Sequence, residues 1–150
     1  MSTDVSDSFE NIPKRCIAIR TMMTARAVAR HYDEALRDTG LTNNQFSLLV
    51  AISLKEFPSM AALGDLLCID RSTLSRNFRP LFEAGYVTRE RSEKGRAIVL
   101  KLTDMGLEKL KEAEARWEAA QLEIEQAMPD EDMQAGKRFL RSLRLAASHS

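Results

Sequence analysis

The fold of this chain is decided by residues 59–103, which read SMAALGDLLCIDRSTLSRNFRPLFEAGYVTRERSEKGRAIVLKLT. The pattern predicts a helix, a short turn, a second helix, and then two β-branched runs separated by a polar tip that contains a glycine. Asp70 stands directly before the second helix, where a carboxylate caps the free backbone N–H groups of the first turn. One face of that helix is apolar at helical spacing, which predicts its burial. The residues on this face are Leu74, Phe78, Leu81 and Phe82.

The opposite face of the second helix carries short hydroxyls and guanidiniums, at Ser72, Ser75, Arg76 and Arg79. These side-chain types reach base edges and phosphates in the major groove of DNA. The two runs that follow, residues 86–88 and 97–102, predict a hairpin with a basic tip. We therefore predict a mainly α fold with a small β-hairpin wing (α+β), which is a winged helix-turn-helix flanked by further helices at both ends.

Composition limits the possible classes of protein. The chain has 150 residues, of which 44% are hydrophobic and 29% charged, values typical of one soluble globular domain. No apolar run approaches the roughly 20 residues that cross a bilayer, and the start, MSTDVSDSFE, is unlike a signal peptide. We therefore expect a cytoplasmic protein without a membrane partner. The two cysteines form neither a metal-binding spacing nor a disulfide framework, and no metal or cofactor is predicted.

The formal net charge is zero, but the charge is distributed unevenly. Residues 70–101 contain eight basic and four acidic residues, a net charge of +4. Residues 104–132 contain three basic and ten acidic residues, a net charge of −7. The distribution predicts that the first segment meets an anion and that the second does not.

The remaining segments are predicted to be helical apart from residues 1–11, which we expect to be disordered. A long helix over residues 12–38 is apolar on two sides and is expected to end at Gly40. Thr42 and Gln45 form a capping box for the next helix, and Ser59 caps the one after it. Within that helix Gly64 is expected to permit close approach of the following helix. The tight turn after it needs a left-handed residue, and the candidate is Cys68.

The C-terminal part is predicted to form two helices. Thr103 caps a long helix with heptad spacing, and Pro129 ends it. We expect the last helix to bury Met133, Phe139, Leu140 and Leu143. We predict one domain over residues 1–150, in which residues 41–103 are the winged-helix region and residues 12–38 and 104–147 are dimerisation helices. Two-fold pairing would cover the terminal helices and match a palindromic site.

Three segments, LTNNQFSLL (41–49), LGDLLCIDRSTLSRNFRPLFEAGYVTRE (63–90) and GRAIVLKLTDMG (95–106), together resemble the MarR family of bacterial transcriptional regulators. The resemblance covers nearly the whole chain. It implies a homodimer whose first, fifth and sixth helices interlock, with each winged helix contacting half of a palindrome. It also implies repression, or less often activation, that is relieved by a small anionic or phenolic ligand or by cysteine oxidation.

The chain departs from the family pattern at two places. The family's wing has an Asp-x-Arg motif whose aspartate braces the arginine, whereas this chain has Lys94, Gly95 and Arg96 there. Either Glu93 braces Arg96 instead, or the tip is looser and Lys94 contacts a phosphate. The second departure is Cys68 at the turn glycine.

The candidate DNA contacts divide by role. We expect Arg76 to read a base, because a bidentate arginine–guanine pair discriminates well. Arg71 and Arg79 are expected to contact phosphates. Thr73 lies at the edge of the face and either reaches a phosphate or satisfies the helix cap. The wing residues are expected to contact the minor groove or the backbone. They are Arg91, Lys94 and Arg96.

The candidate sensing residues each have an alternative structural role. The effector candidates are His31, Met23 and Phe46. They either line an effector pocket near the reading head, which is the winged-helix region of residues 41–103, or pack in the core. Cys16, beside two basic residues, is a redox candidate, but its place on an apolar stripe equally favours a small inert hydrophobe. We expect Cys68 to have a packing role.

We predict a homodimeric, sequence-specific regulator of transcription that binds double-stranded DNA at a palindromic operator, a repressor released by a small anionic or phenolic effector. The first alternative is a redox regulator of the same fold that uses Cys16. The second is a winged helix used for protein binding. An enzyme is not expected, since the sequence has no glycine-rich phosphate loop and no nucleophile with a base in a motif context.

Overall fold

The computed structural model describes residues 9–148, and within them seven α-helices and one two-stranded sheet form a mainly helical fold. The elements follow in the order α1 (Asn11–Arg15), α2 (Ile17–Leu36), α3 (Asn43–Leu54), α4 (Met60–Leu67), α5 (Arg71–Glu83), β1 (Val87–Arg91), β2 (Ile98–Leu102), α6 (Asp104–Ala127) and α7 (Asp130–Ala147). The predicted mainly α fold with a β-hairpin wing is confirmed. Of the predicted disorder over residues 1–11, residues 1–8 lie outside the described residues.

The first long helix is interrupted, whereas the sequence predicted one continuous helix over residues 12–38. Cys16 has an extended backbone, with φ −71° and ψ 107°, which separates α1 from α2. No residue of α1 is buried, so no packing within the chain holds it in line with α2. At the other end, Gly40 adopts a left-handed conformation after the short 3-10 helix Arg37–Thr39 and stops the helix as predicted.

The helices of the reading head begin at the predicted caps. The Thr42 side chain accepts a hydrogen bond from the Gln45 backbone N–H, and the Gln45 side chain accepts one from the Thr42 N–H, which completes the capping box. Ser59 caps α4 through its hydroxyl, which accepts a hydrogen bond from the Ala62 N–H at 3.2 Å. Gly64 allows α4 to approach α5, because a Cβ there would lie 2.9 Å from Cδ2 of Leu74. A larger residue at this position would push the two helices apart.

The turn between α4 and α5 contains a non-glycine residue in the left-handed region, as predicted. Cys68 has φ 54° and ψ 40°, and the Ile69 N–H behind it donates to the Gly64 carbonyl at 2.9 Å. The expected packing role is wrong, because Cys68 is exposed. The tight turn requires the left-handed conformation of Cys68 and leaves the Cys68 thiol exposed to solvent.

We expect Cys68→Gly to stabilise the fold, because the Cβ of an L-residue is strained in this conformation and glycine has none. The gain in unfolding free energy should be about 1 kcal/mol relative to Cys68→Ala, which removes the thiol and keeps the Cβ. Urea unfolding of the two variants measures the difference. Equal stability would mean that the turn imposes no cost on a side chain.

The wing is joined to the body of the protein along a third segment of chain. β1 and β2 pair antiparallel from Val87 opposite Leu102 to Arg91 opposite Ile98. An isolated bridge links Leu100 to the buried Phe57, in the connection between α3 and α4. The core lies beneath the hairpin and between α3, α4 and α5. Its fully buried side chains are Phe57, Leu36, Leu48, Leu49, Leu63 and Leu81.

The heptad stripe of α6 packs within its own chain. Ala113 and Ala120 are buried, and Trp117 stacks on Phe46 of α3 with ring centroids 6.1 Å apart. The capping hydroxyl of Thr103 also donates to the Gly85 carbonyl at 2.6 Å, which fixes the start of α6 against the wing. The stripe therefore connects α6 to the reading head.

The prediction that the last helix, α7, buries its apolar residues is wrong. None of its residues is buried, and no element within residues 9–148 packs closely on it. Phe139 is 54% exposed and Leu140 55%, while Met133 and Leu143 are half-buried. The apolar spacing correctly indicated one face, but residues 9–148 do not supply the surface that would cover it.

Candidate nucleic-acid interface

The N-terminus of α5 is organised by one carboxylate. Asp70 Oδ1 accepts hydrogen bonds from the backbone N–H of Ser72 at 3.1 Å and of Thr73 at 3.0 Å, and from the Ser72 hydroxyl at 3.0 Å. Thr73 is therefore capped through its N–H, and its hydroxyl also accepts a hydrogen bond from Arg76 at 3.4 Å. Hydrogen bonding from the Thr73 hydroxyl, followed by that from the Thr73 N–H and the Ser72 hydroxyl, lowers the pKa of Asp70 from 3.8 to about 2.

The cap should contribute stability that depends on pH. Because the pKa of Asp70 is lower in the folded state, the ionised cap stabilises fully above about pH 4 and loses its effect as the pH falls toward about 2. Asp70→Asn keeps a capping oxygen that does not titrate. Urea unfolding should show the advantage of the wild type over this variant shrinking across that window. An advantage that stays constant with pH would contradict the role of the charge.

The two faces of α5 separate as the sequence predicted, with one exception. Leu74, Phe78 and Leu81 are buried. Phe82 is 48% exposed and stacks on Phe78 with centroids 6.3 Å apart, so its predicted burial is wrong. It lies in the last turn, where the helix leaves the core. The opposite face is exposed at Arg71, Ser72, Ser75, Arg76 and Arg79.

The three arginines of this face are held differently. Arg79 donates through Nε to Glu83 at 2.6 Å, and this bond raises the pKa of its guanidinium. Arg76 contacts only the Thr73 hydroxyl, at 3.4 Å, within the described residues. Arg71 makes no hydrogen bond or ion pair with residues 9–148. Arg71 and Arg76 can therefore bind a ligand without breaking an ion pair. Arg79 is already paired with the Glu83 carboxylate.

The basic residues of the wing are exposed, and the predicted brace between Glu93 and Arg96 is absent. Glu93 instead pairs with Lys101 of β2 at 3.1 Å. Arg91, Lys94 and Arg96 are all exposed. In the described part of the chain no carboxylate neutralises Arg96, so the wing tip carries unpaired positive charge.

A cleft of about 790 Å³ lies between the wing and α5, which is referred to below as the recognition helix. Arg71 and Ser75 line it from α5, and Arg89 lines it from β1. Arg89 was counted in the net charge of residues 70–101 but was not predicted to contact DNA. The signal was in the sequence, because Arg89 stands two residues after the buried Val87 and so shares its sheet face. Basic residues of α5 and of the wing therefore line the two sides of one cleft.

The candidate effector residues are not brought together. His31 Nε2 lies 2.9 Å from the Ala120 carbonyl and joins α2 to α6. Phe46 is buried in the core, and Met23 is 63% exposed. None of the three lines the cleft described above. Their assignment to an effector pocket stays a prediction.

Cys16 lies half-buried at the break between α1 and α2, and the stripe on which it was placed is largely exposed. Both cysteines are free. The redox role of Cys16 stays a prediction.

Two negative findings apply to residues 9–148. No three His, Cys, Asp or Glu side chains are grouped so that they could hold a metal ion. None of the helices there has the length and hydropathy needed to span a bilayer.

Comparison with known proteins identifies relatives over nearly the whole chain. The transcriptional regulator MosR of M. tuberculosis is 31% identical, with 92% of this chain and 99% of that chain covered and a TM-score of 0.79. The structure of MosR in complex with DNA is 32% identical, covers 90% of this chain and 98% of that chain, and has a TM-score of 0.76. The Mycobacterium tuberculosis MarR family protein Rv2887, in complex with p-aminosalicylic acid, is 25% identical, with coverage of 85% and 97% and a TM-score of 0.66.

No curated protein sequence matches the chain. The sequence profile of the MarR family matches residues 41–98, which contain the helix-turn-helix and most of the wing. Because a relative that is 31% identical aligns along almost all of both chains, this protein belongs to the MarR family of transcriptional regulators.

Proposed function

We propose that this protein is a homodimeric repressor that binds a palindromic operator in double-stranded DNA. The observation that carries the proposal is the set of exposed basic residues that α5 and the wing present on either side of one cleft. Arg76 reads a base in the major groove, and Arg71, Arg79 and Arg89 contact phosphates. Arg91, Lys94 and Arg96 extend the contact along the backbone or into the minor groove. The MosR relative in complex with DNA supports DNA as the ligand.

The homodimer is proposed from the apolar surface of the terminal helices. Large apolar side chains that this chain leaves exposed cluster on α1, α2 and α7 and at the end of α6, and a second copy would cover them. Acidic residues are frequent in α6 and in the first turn of α7, a composition that does not favour contact with DNA. The exposed apolar residues of these elements include Ile12, Ile17, Met22, Met23, Val28, Leu122, Met128, Phe139 and Leu140.

Release from DNA is proposed to follow from the spacing of the two recognition helices. The terminal helices set this spacing, which must match roughly one turn of DNA, ~34–36 Å. An effector that binds better to a mismatched spacing lowers the DNA affinity by its differential affinity for the two states. The relative in complex with p-aminosalicylic acid supports a small anionic or phenolic effector. We place the activity in the cytoplasm, where the chromosome of a bacterium lies.

The proposal is tested by measuring mass and duplex binding together. Sedimentation should give a dimer, and the affinity for duplex DNA should fall steeply as salt is raised, because phosphate contacts release counterions. Leu140→Glu places a charge on the unpaired face of α7 and should give monomers that bind duplex weakly. Leu54→Glu is the matched control, since Leu54 is 79% exposed and lies outside the terminal helices. A wild type that sediments as a monomer, or an affinity that salt does not change, would refute the proposal.

A further inference from the structure

The wing tip is attached to the body of the protein through one buried hydroxyl. Ser92, at the end of β1, is only 8% exposed. Its hydroxyl donates to the Glu56 carboxylate at 2.6 Å and accepts from the Lys94 backbone N–H at 3.1 Å. Its own N–H donates to the Ala97 carbonyl at 2.8 Å, which closes the tip. The turn that carries Lys94 therefore depends on Ser92 for its shape and on Glu56 for its position.

Glu56 is itself held in place by its neighbour. It lies in the connection between α3 and α4, directly before Phe57. Phe57 is 1% exposed, and its carbonyl accepts from the Leu100 N–H at 2.9 Å. The carboxylate thus stands on a rigid part of the core. A hydrogen bond to a carboxylate is shorter and stronger than one between neutral groups, which suits a fixed attachment.

The remaining bonds of the hairpin do not fix its tip relative to the body. Glu93 pairs with Lys101, but both residues belong to the hairpin, so their bond cannot set the angle of the hairpin to α5. The bridge at Leu100 holds the middle of β2, and within the described residues no backbone hydrogen bond joins the tip itself to the body. The bond between Ser92 and Glu56 lies beyond that bridge, close to the exposed Lys94 and Arg96.

We propose that Glu56 and Ser92 form a positioning pair that fixes the angle of the wing for contact with the DNA backbone. This inference rests on the proposed function. It makes Glu56 a residue that favours DNA binding although its charge repels phosphate. Electrostatics alone predicts that removal of a carboxylate near the wing strengthens binding, whereas loss of the brace weakens it. Whether the DNA affinity rises or falls therefore distinguishes the electrostatic effect of Glu56 from its role as a brace.

The test compares four variants with the wild type in duplex affinity, salt dependence and amide hydrogen exchange. Glu56→Ala and Ser92→Ala should each weaken binding by up to about tenfold, because DNA binding must then also fix a wing that has lost its hydrogen bond to a charged group. The double variant should be no weaker than Ser92→Ala, because Glu56→Ala removes only a link that the loss of the Ser92 hydroxyl has already broken. Glu56→Gln keeps the acceptor oxygen and should bind within about twofold of the wild type or more tightly. The salt slope should fall by about one for each phosphate that the wing ceases to touch.

Glu90→Ala is the matched control, because Glu90 is an exposed carboxylate of β1 that makes no hydrogen bond or ion pair in the described chain. It should bind DNA slightly more tightly. Hydrogen exchange in the free protein should show faster exchange of the Lys94 amide in Glu56→Ala and Ser92→Ala and no change in Glu90→Ala. If Glu56→Ala binds more tightly and exchanges like the control, the positioning pair is refuted while the proposed function stands. If the wild type binds no duplex, both are refuted.

Discussion

Gly106→Ala is expected to destabilise the fold by about 3 kcal/mol, because the first turn of α6 lies directly against the chain that enters the wing. A Cβ at this position would overlap the Tyr86 carbonyl oxygen and lie 2.8 Å from its carbonyl carbon. The same oxygen accepts from the Thr103 N–H at 3.1 Å, so it cannot move away without breaking a hydrogen bond at the helix start. The added Cβ would therefore clash with backbone atoms of Tyr86, which cannot rotate away as a side chain could.

Urea unfolding measures this effect, with Gly95→Ala as the control. A Cβ at Gly95 would meet no atom within 4 Å, and its φ is not in the left-handed region. This control should change the unfolding free energy by less than about 1 kcal/mol. If Gly106→Ala matched the control, the close contact between α6 and the wing would not exist in solution.

Arg76→Ala is expected to cost about 10- to 100-fold in affinity for the preferred duplex and much less for random duplex. Arg76 is exposed in the middle of the recognition helix, and its single contact, with the Thr73 hydroxyl at 3.4 Å, leaves the guanidinium free to turn toward a base. Dimerisation should not change, because α5 lies outside the terminal helices. Fluorescence anisotropy with both duplexes gives the two affinities.

Arg76→Lys separates charge from shape. Lysine keeps the positive charge but lacks the planar fork that binds guanine at two atoms. It should retain affinity for random duplex and lose most of the discrimination. If Arg76→Ala weakened both duplexes equally, Arg76 would be a phosphate contact, and base reading would have to be assigned to another residue.

The sequence predicted best those features that depend on neighbouring residues. The caps at Thr42, Ser59, Asp70 and Thr103 are confirmed, because a side chain that bonds its own helix start leaves a local pattern. The left-handed turn at Cys68 is confirmed for the same reason, since two helices joined so tightly leave the backbone few choices. The faces of α5 followed from helical spacing.

The features that the sequence did not predict depend on contacts between distant residues. Glu56 and Ser92 are 36 positions apart, and no local pattern indicates their bond. The close contact of Gly106 with Tyr86 likewise appears only when α6 is placed against the wing. The exposure of Phe139 and Leu140 was missed because periodicity shows that a face is apolar but not which chain covers it. The break at Cys16 follows from the same lack of cover for α1.

Selection of bound sequences from random duplexes by the purified protein tests the central claim most directly. The claim is that two copies present two basic recognition helices to one duplex. We predict enrichment of a palindrome whose half-sites are centred about 10–10.5 base pairs apart. Recovery of single, unpaired half-sites, or of no common sequence at low salt, would contradict the claim.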